Sequence, residues 1–268
     1  MTTVTAIIPA RARGAVAAEW IKLRSVRSTC LALAAAAVAA IALGYLVTHY
    51  VASSTHWATM SPQARATWDP VSYSQGGLAI AQLAFGTLGV LVISSEHATG
   101  LIRTTFTATP WRRAVLAAKA AAAGALTLAA GKLIAFAAFF TGQQALSAKY
   151  LNATSSDSGM LRGVLAAGLY LAISTLVGLE LGAIIRHTAG AIAALFALVF
   201  LIPQIIHAMP APWATRIGKY MLDNAGQQMT ALHGSPGYFP PSSSLIVCLG
   251  YAAALLGAAA ILIIRRDA

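Results

Sequence analysis

The chain has 268 residues, of which 58% are hydrophobic and only 9% charged, and its mean hydropathy is +0.73. A soluble domain carries about a quarter charged residues, so this set cannot build a water-exposed surface, and the composition specifies an integral membrane protein. The formal charge of +11 clusters at the ends of apolar runs and forms no continuous basic face, which excludes a nucleic-acid binder.

Residues 1–28 are polar and basic, with Arg11, Arg13, Lys22, Arg24 and Arg27 against Glu19. Val16, Trp20 and Leu23 fall at i, i+4 and i+7 on one helical face, which Arg27 interrupts. A helix of this kind lies along the membrane surface, with Trp20 at headgroup depth and Lys22 and Arg24 in water. A disordered basic tail is the alternative. A signal peptide fits poorly, because its apolar core runs about 7–15 residues and the run that begins at Cys30 is longer.

Spanning a bilayer takes about 20 apolar residues. Six segments meet that requirement: Cys30–Val51, Gly76–Ser95, Ala114–Phe140, Leu161–Ile185, Ala189–His207 and Leu245–Ile264. They are rich in Ala, Leu, Ile and Gly and lack the period-2 alternation of a membrane β-barrel. The expected fold is therefore all-α, with a cytosolic tail and interfacial helix over 1–28 and a single six-span domain over 29–268. Gly178-Leu-Glu-Leu-Gly182 is the best small-residue pair for a close helix approach. Cys30 and Cys248 fall near opposite membrane faces in this plan, too far apart for a disulfide.

Between the second and third spans, the stretch from Ser94 to Lys119 carries Arg103, Arg112, Arg113 and Lys119 against a single acid, Glu96. Positive charge beside apolar spans resists translocation. The loop over 94–114 is therefore read as cytosolic, with a short helix over 96–107, a break at Pro110 and a surface that a soluble partner could grip. With the N-terminus inside, inner segments hold twelve lysines and arginines and outer segments five, while Lys132 sits within a span. Both termini are then cytoplasmic. On the outer side, 52–75 holds Trp57, Trp68 and Tyr73, suited to the interface, and 142–160 is Ser/Asn-rich and irregular. The longest outer segment, 208–244, is Pro-bounded around a helix-like stretch from Trp213 to Leu232. It reads equally as a re-entrant helix or hairpin before the last span, or as a surface loop.

Signals for enzyme chemistry are weak. The six histidines are scattered without metal-site spacing, and a metal site needs three or four converging ligands. Gly131-Lys132 has the ending of a phosphate-binding loop, but Leu133 replaces the Ser/Thr and the nearest preceding glycine is Gly124. The intramembrane charges matter more, since each costs about 2.5–3.5 kcal/mol near a helix centre. Glu180 and Lys119 lie at similar depths from the inner face and are the expected ion pair. Separate snorkelling to water is the alternative for both, and Lys132 would face a wet cavity or snorkel outward.

Three stretches carry a resemblance: AEWIKLRSVRST at 18–29, EHATGLIRTT at 96–105 followed by TPWRRAVLAAK at 109–119, and DNAGQ at 223–227. Together they resemble actinobacterial ABC transporter permeases of the ABC-2 exporter type, with Asp223 standing where the last motif is expected to hold a small residue. The resemblance implies a bacterial cell-membrane permease that pairs with itself or a sister and recruits two separate ATPase subunits. ATP and Mg would sit on those subunits, and no cofactor on this chain. It further implies that Glu19, Trp20, Lys22 and Arg24 belong to an interfacial elbow. The coupling helix would lie over 96–107, with Glu96, Gly100, Arg103 and Thr104 at the matching positions. A non-transporting membrane anchor or sensor that docks a regulatory protein through the same loop is the competing reading. A polytopic membrane enzyme comes third, for want of an acid/base or metal constellation. The spans show no ring of charge and no aromatic cage, so the substrate class stays open.

The charge-based orientation is testable in a background lacking Cys30 and Cys248. Single cysteines at Ser155 and Ser235 should react with an impermeant thiol reagent from outside, and one at Thr107 should not. Outside labelling at Thr107 would overturn the orientation.

Overall fold

The computed structural model describes residues 14, 16–23, 25, 27–53, 59–66, 68–101, 112–147, 150–151, 153, 159–232 and 234–265. Described residues 16–23 are helical. Helix α1 follows over Arg27–Val51, and two short helices, α2 (Pro62–Ala66) and α3 (Pro70–Ser74), lead into α4 (Leu78–Ala98). Helix α5 runs over Arg112–Ser147 and α6 over Met160–Ile185. Helix α7 (Thr188–Phe196) passes through a π-turn at Ala197–Leu201 into α8 (Ile202–His207). A helical hairpin, α9 (Ala211–Gly218) and α10 (Leu222–Thr230), precedes α11 (Pro241–Arg265). Among the described residues six helical segments are long and apolar enough to cross a membrane, in line with the six expected spans.

The third span is longer than expected. Nothing between Arg112 and Ser147 breaks a helix, so α5 continues for 36 residues, past the predicted end at Phe140 and into the segment read as irregular. The fifth span is instead interrupted. Pro203 offers no N–H and crowds the carbonyl one turn earlier, and the ladder widens just before it, with Ile202 N–H reaching back to Ala197 O.

Helix α6 is the most enclosed of the six and packs most extensively against α4, then α5 and α11. Glycines set the α4–α6 separation. A Cβ on Gly178 would lie 1.9 Å from the carbonyl oxygen of Gly86, and one on Gly89 2.0 Å from that of Thr175. No side chain fits in either place, so the two backbones touch. The pair expected from the sequence, Gly178 and Gly182, does meet a neighbouring helix at this contact. Around it, Val90, Tyr170, Ile173, Val177 and Leu195 form one core cluster, and Ile93, Leu116, Leu179 and Leu23 another. Large apolar side chains face outward on the peripheral helices, among them Leu31, Val38 and Leu46 of α1 and Ile246, Leu249 and Ile261 of α11. A belt of that kind suits hydrocarbon and not water.

The turn between α6 and α7 is tight. Arg186 adopts a left-handed conformation at φ 59°, His187 Nδ1 accepts from Gly190 N–H, and Thr188 Oγ1 donates to Ser94 Oγ at 2.9 Å. At the other end of the bundle Asp69 caps α3 by accepting from Val71 N–H and Ser72 N–H, and its Oδ2 also accepts from Leu232 N–H at 2.8 Å. Arg162 donates to Ala231 O at 2.8 Å. The segment that follows α10 is thus fastened to the start of α6 and to the chain ahead of α4. Within 208–244 the chain forms a helical hairpin, with Leu222, Asn224, Ala225 and Met229 of α10 buried against α6 and α11.

Overpacking a close-packed contact costs about 1–3 kcal/mol, and a methyl at Gly178 has no side chain to displace. Gly178→Ala should lower the thermal midpoint of the detergent-purified protein by several degrees. Gly250→Ala and Gly257→Ala, where nothing lies within 4 Å of the added carbon, should leave it unchanged.

Candidate functional site

Two polar sites occupy opposite ends of the bundle. The first is a charge cluster at the basic end, where the N-terminal helical stretch, the last turn of α4 and the third turn of α5 converge. Lys119 is 1% exposed, and its Nζ donates to Glu19 Oε2 and to Glu96 Oε1, each at 2.7 Å. Glu96 Oε1 also accepts from Lys22. Two lysines and two glutamates therefore neutralise one another across three chain segments. Leu23 buries beside them against Ile93 and Leu116 and closes the cluster on its apolar side. Lys22, half in contact with water, is held below the ordinary lysine range by its partial burial first and by the positive Lys119 second, with Glu19 opposing.

This arrangement corrects two expectations. Lys119 does not pair with Glu180: among the described residues its partners are Glu19 and Glu96, and Glu180 Oε2 is buried with no hydrogen-bond partner. Equal depth in the membrane was not sufficient, because Glu96 and Glu19 reach Lys119 from the adjoining loop end and the N-terminal stretch. Glu96 also does not open a short helix over 96–107. It lies in the last turn of α4, 2% exposed and committed to two lysines, and so presents no carboxylate to a soluble partner. The α4 helix stops at Ala98, and Gly100 turns the chain away at φ +73°. Arg103 and Thr104, and the remainder of the expected coupling helix, lie outside the described residues, as does Arg24. Trp20 is half-buried within the N-terminal helical stretch. Glu19 and Lys22, expected together with Trp20 and Arg24 in the elbow, belong to the cluster itself. The available sequence signal was a shared membrane face, since Glu19, Glu96 and Asp267 are the acids that the charge-based plan puts on the side Lys119 adjoins, and two of these three are its partners.

The second site is a cavity of about 560 Å³ at the far end, walled by α3, the start of α4, the middle of α6 and α10. Gln75, Gln82 and Tyr170 line it, 5%, 1% and 2% exposed, and neither carboxamide nor the phenol has a hydrogen-bond partner among the described residues. A buried polar group left unpaired costs about 1–3 kcal/mol, so three in one cavity require an occupant, water included. Asp223 and Gln227 of α10 face the same space, and Gln227 Nε2 donates to Asp223 Oδ2 at 2.9 Å. Asp223 is raised above the ordinary carboxylate range by burial, against the opposing effects of Gln227 and His207. Gly226 lets α10 settle on the Tyr170 ring: a Cβ there would fall 2.2 Å from Cζ. The DNAGQ stretch is thereby read in full. Its Asn224 donates to Gly218 O across the hairpin, Ala225 enters the core, and Asp223 and Gln227 face the cavity. The stretch is visible as a motif in the sequence, whereas the cavity it faces is not.

Lys132 lines a separate, more open groove with Arg162, Leu165 and Met229 on the flank of the bundle. Among the described residues no group of three or more His, Cys, Asp or Glu could hold a metal ion. The chain matches no family model, and no curated protein is similar to it.

The charge cluster makes a definite prediction. Removing one partner of a buried ion pair costs about 3–5 kcal/mol, because the other charge is left uncompensated. Glu96→Gln should lower thermal stability markedly, and adding Lys119→Met should recover much of that loss in a double-mutant cycle. Glu180→Gln should be additive with Lys119→Met. Coupling between Glu180 and Lys119 as large as that of Glu96 would restore the discarded pairing.

Proposed function

We propose that this chain is the membrane-spanning subunit of an ATP-driven exporter of the ABC-2 type. It would work as a homodimer or with a sister permease in a bacterial cell membrane, with ATP hydrolysed on separate subunits. The observation that carries the proposal is the Glu19–Lys119–Glu96–Lys22 cluster. It clamps the N-terminal helical stretch to both helices that flank the basic stretch read from the sequence as a cytosolic loop over 94–114.

A loop held at its two ends by α4 and α5 transmits a push only if those ends are joined rigidly. The cluster supplies that joint within a buried site, where charge-assisted hydrogen bonds are strong and directional. Load on the loop then reaches α4, α5 and the N-terminal stretch together. From α4 it passes to α6 through the glycine contact at Gly86 and Gly178. A membrane anchor that merely docks a regulator has no need of this linkage. The charge asymmetry of the sequence supports a cytosolic position for the cluster and the loop, where an ATPase would be. In this reading Glu96 stabilises the base of the coupling element, and the contact to the ATPase falls to Arg103, Thr104 and their neighbours.

Two substitutions test the loop. Arg103→Lys keeps the charge but loses the planar fork of donors. Gly100→Asn adds a side chain while tolerating the left-handed backbone. Both proteins should insert at wild-type abundance yet show several-fold weaker co-purification of the ATPase or loss of substrate-stimulated ATP hydrolysis. Full complex formation and export by both variants would sink the coupling role and favour the anchor.

A further inference from the structure

We propose that the far-end cavity is a binding site for a small organic cation, a protonated amine that also carries hydroxyl or carbonyl groups, with Asp223 as its counter-ion. The first argument is charge. Asp69 and Asp223 line the cavity, and among the described residues no Lys, Arg or His does. Asp69 is already satisfied by the backbone N–H groups of Val71, Ser72 and Leu232 and by Ser72 Oγ. Among the described residues Asp223 has only the neutral amide of Gln227 as a hydrogen-bond partner. An anion would be repelled by the carboxylate, whereas a cation pairs with it through charge-assisted hydrogen bonds.

The second argument is the set of unpartnered groups. The Oε1 atoms of Gln75 and Gln82 and the Tyr170 hydroxyl can accept from ammonium N–H groups, and the two Nε2 groups can donate to hydroxyl or carbonyl oxygens. Such a mixed array has no use for a purely apolar cation. The third argument is size. A volume of about 560 Å³ takes a molecule of sugar dimensions with room for water. A bare metal ion would need more anionic oxygens than one uncommitted carboxylate supplies. The hairpin that carries Asp223 is fixed by Gly226 on the Tyr170 ring and by Asn224 on Gly218 O, so the counter-ion is placed before any ligand arrives.

Isothermal titration at neutral pH on the purified full-length chain in lipid nanodiscs tests the site. Glucosamine and agmatine serve as cationic probes, glucose as the neutral counterpart of glucosamine, and succinate as an anion. Saturable binding is expected for at least one cationic probe, and glucose and succinate should not bind. Asp223→Asn should weaken binding at least tenfold, Gln82→Leu severalfold, and Gln82→Glu should strengthen it by adding a second charge. The proposal is overturned if neither cationic probe binds, if glucose binds as well as glucosamine, or if Asp223→Asn keeps wild-type affinity. Should Asp223→Asn fail to fold, an unchanged affinity in Gln82→Glu overturns it equally. No ATPase enters the measurement, so failure here leaves the exporter proposal standing, and loss of coupling at the loop leaves this site standing.

Discussion

Helices α4 and α6 touch backbone to backbone, and most of the other arrangements in this protein follow from that contact. Gly86 against Gly178, Gly89 against Thr175, and Gly182 against Val90 and Ile93 run in register, so the two helices lie parallel. In hydrocarbon there is no hydrophobic drive to bring helices together, and association relies on close packing. Glycine pairs supply it by removing the atoms that would hold the backbones apart. The resulting pair is the stiff axis of the bundle, with α5, α10 and α11 arranged around α6.

Both polar sites are built on the ends of that axis. At the basic end α4 delivers Glu96 to Lys119, while at the far end α4 and α6 contribute Gln82 and Tyr170 to the cavity. A small displacement of α4 against α6 would therefore be felt at both. The proposed exporter function and the proposed cation site are separate claims, but this shared element is a physical route by which they could communicate. Coupling of that kind requires an element with two discrete arrangements, and a backbone contact with no side chains to adjust is stiff between such arrangements.

Buried polar groups are treated differently at the two ends. The charges of the basic cluster pair with one another, although Glu96 Oε2 stays buried without a hydrogen-bond partner among the described residues, and pairing of this kind is the condition under which a buried ion network stabilises one geometry. In the cavity the carboxamides of Gln75 and Gln82 and the Tyr170 hydroxyl have no protein partner among the described residues. Unsatisfied groups of this type detract from stability and are understandable where a ligand or ordered water completes them. One end is built to hold its shape and the other to receive something.

Composition and hydropathy alone determined the all-helical class, the six helices long and apolar enough to cross a membrane, and most of their limits. Length and apolarity are local properties, and a bilayer leaves a helix few other ways to satisfy its backbone. The glycine pair at 178 and 182 was legible for the same reason, as a spacing along one helix. The partners of Lys119 were not legible. Depth arithmetic ranks residues along the membrane normal and says nothing about their azimuth, so Glu180 matched in height and yet remained apart from Lys119. The extent of α5 beyond Phe140 and the two-helix form of 208–244 were missed or left open because polar composition weakens the span signal without breaking a helix. The cavity belonged wholly to tertiary structure. Its walls come from residues as distant in sequence as Gln75, Tyr170 and Asp223, and only the docking of α10 on Tyr170 through Gly226 brings them to face one space.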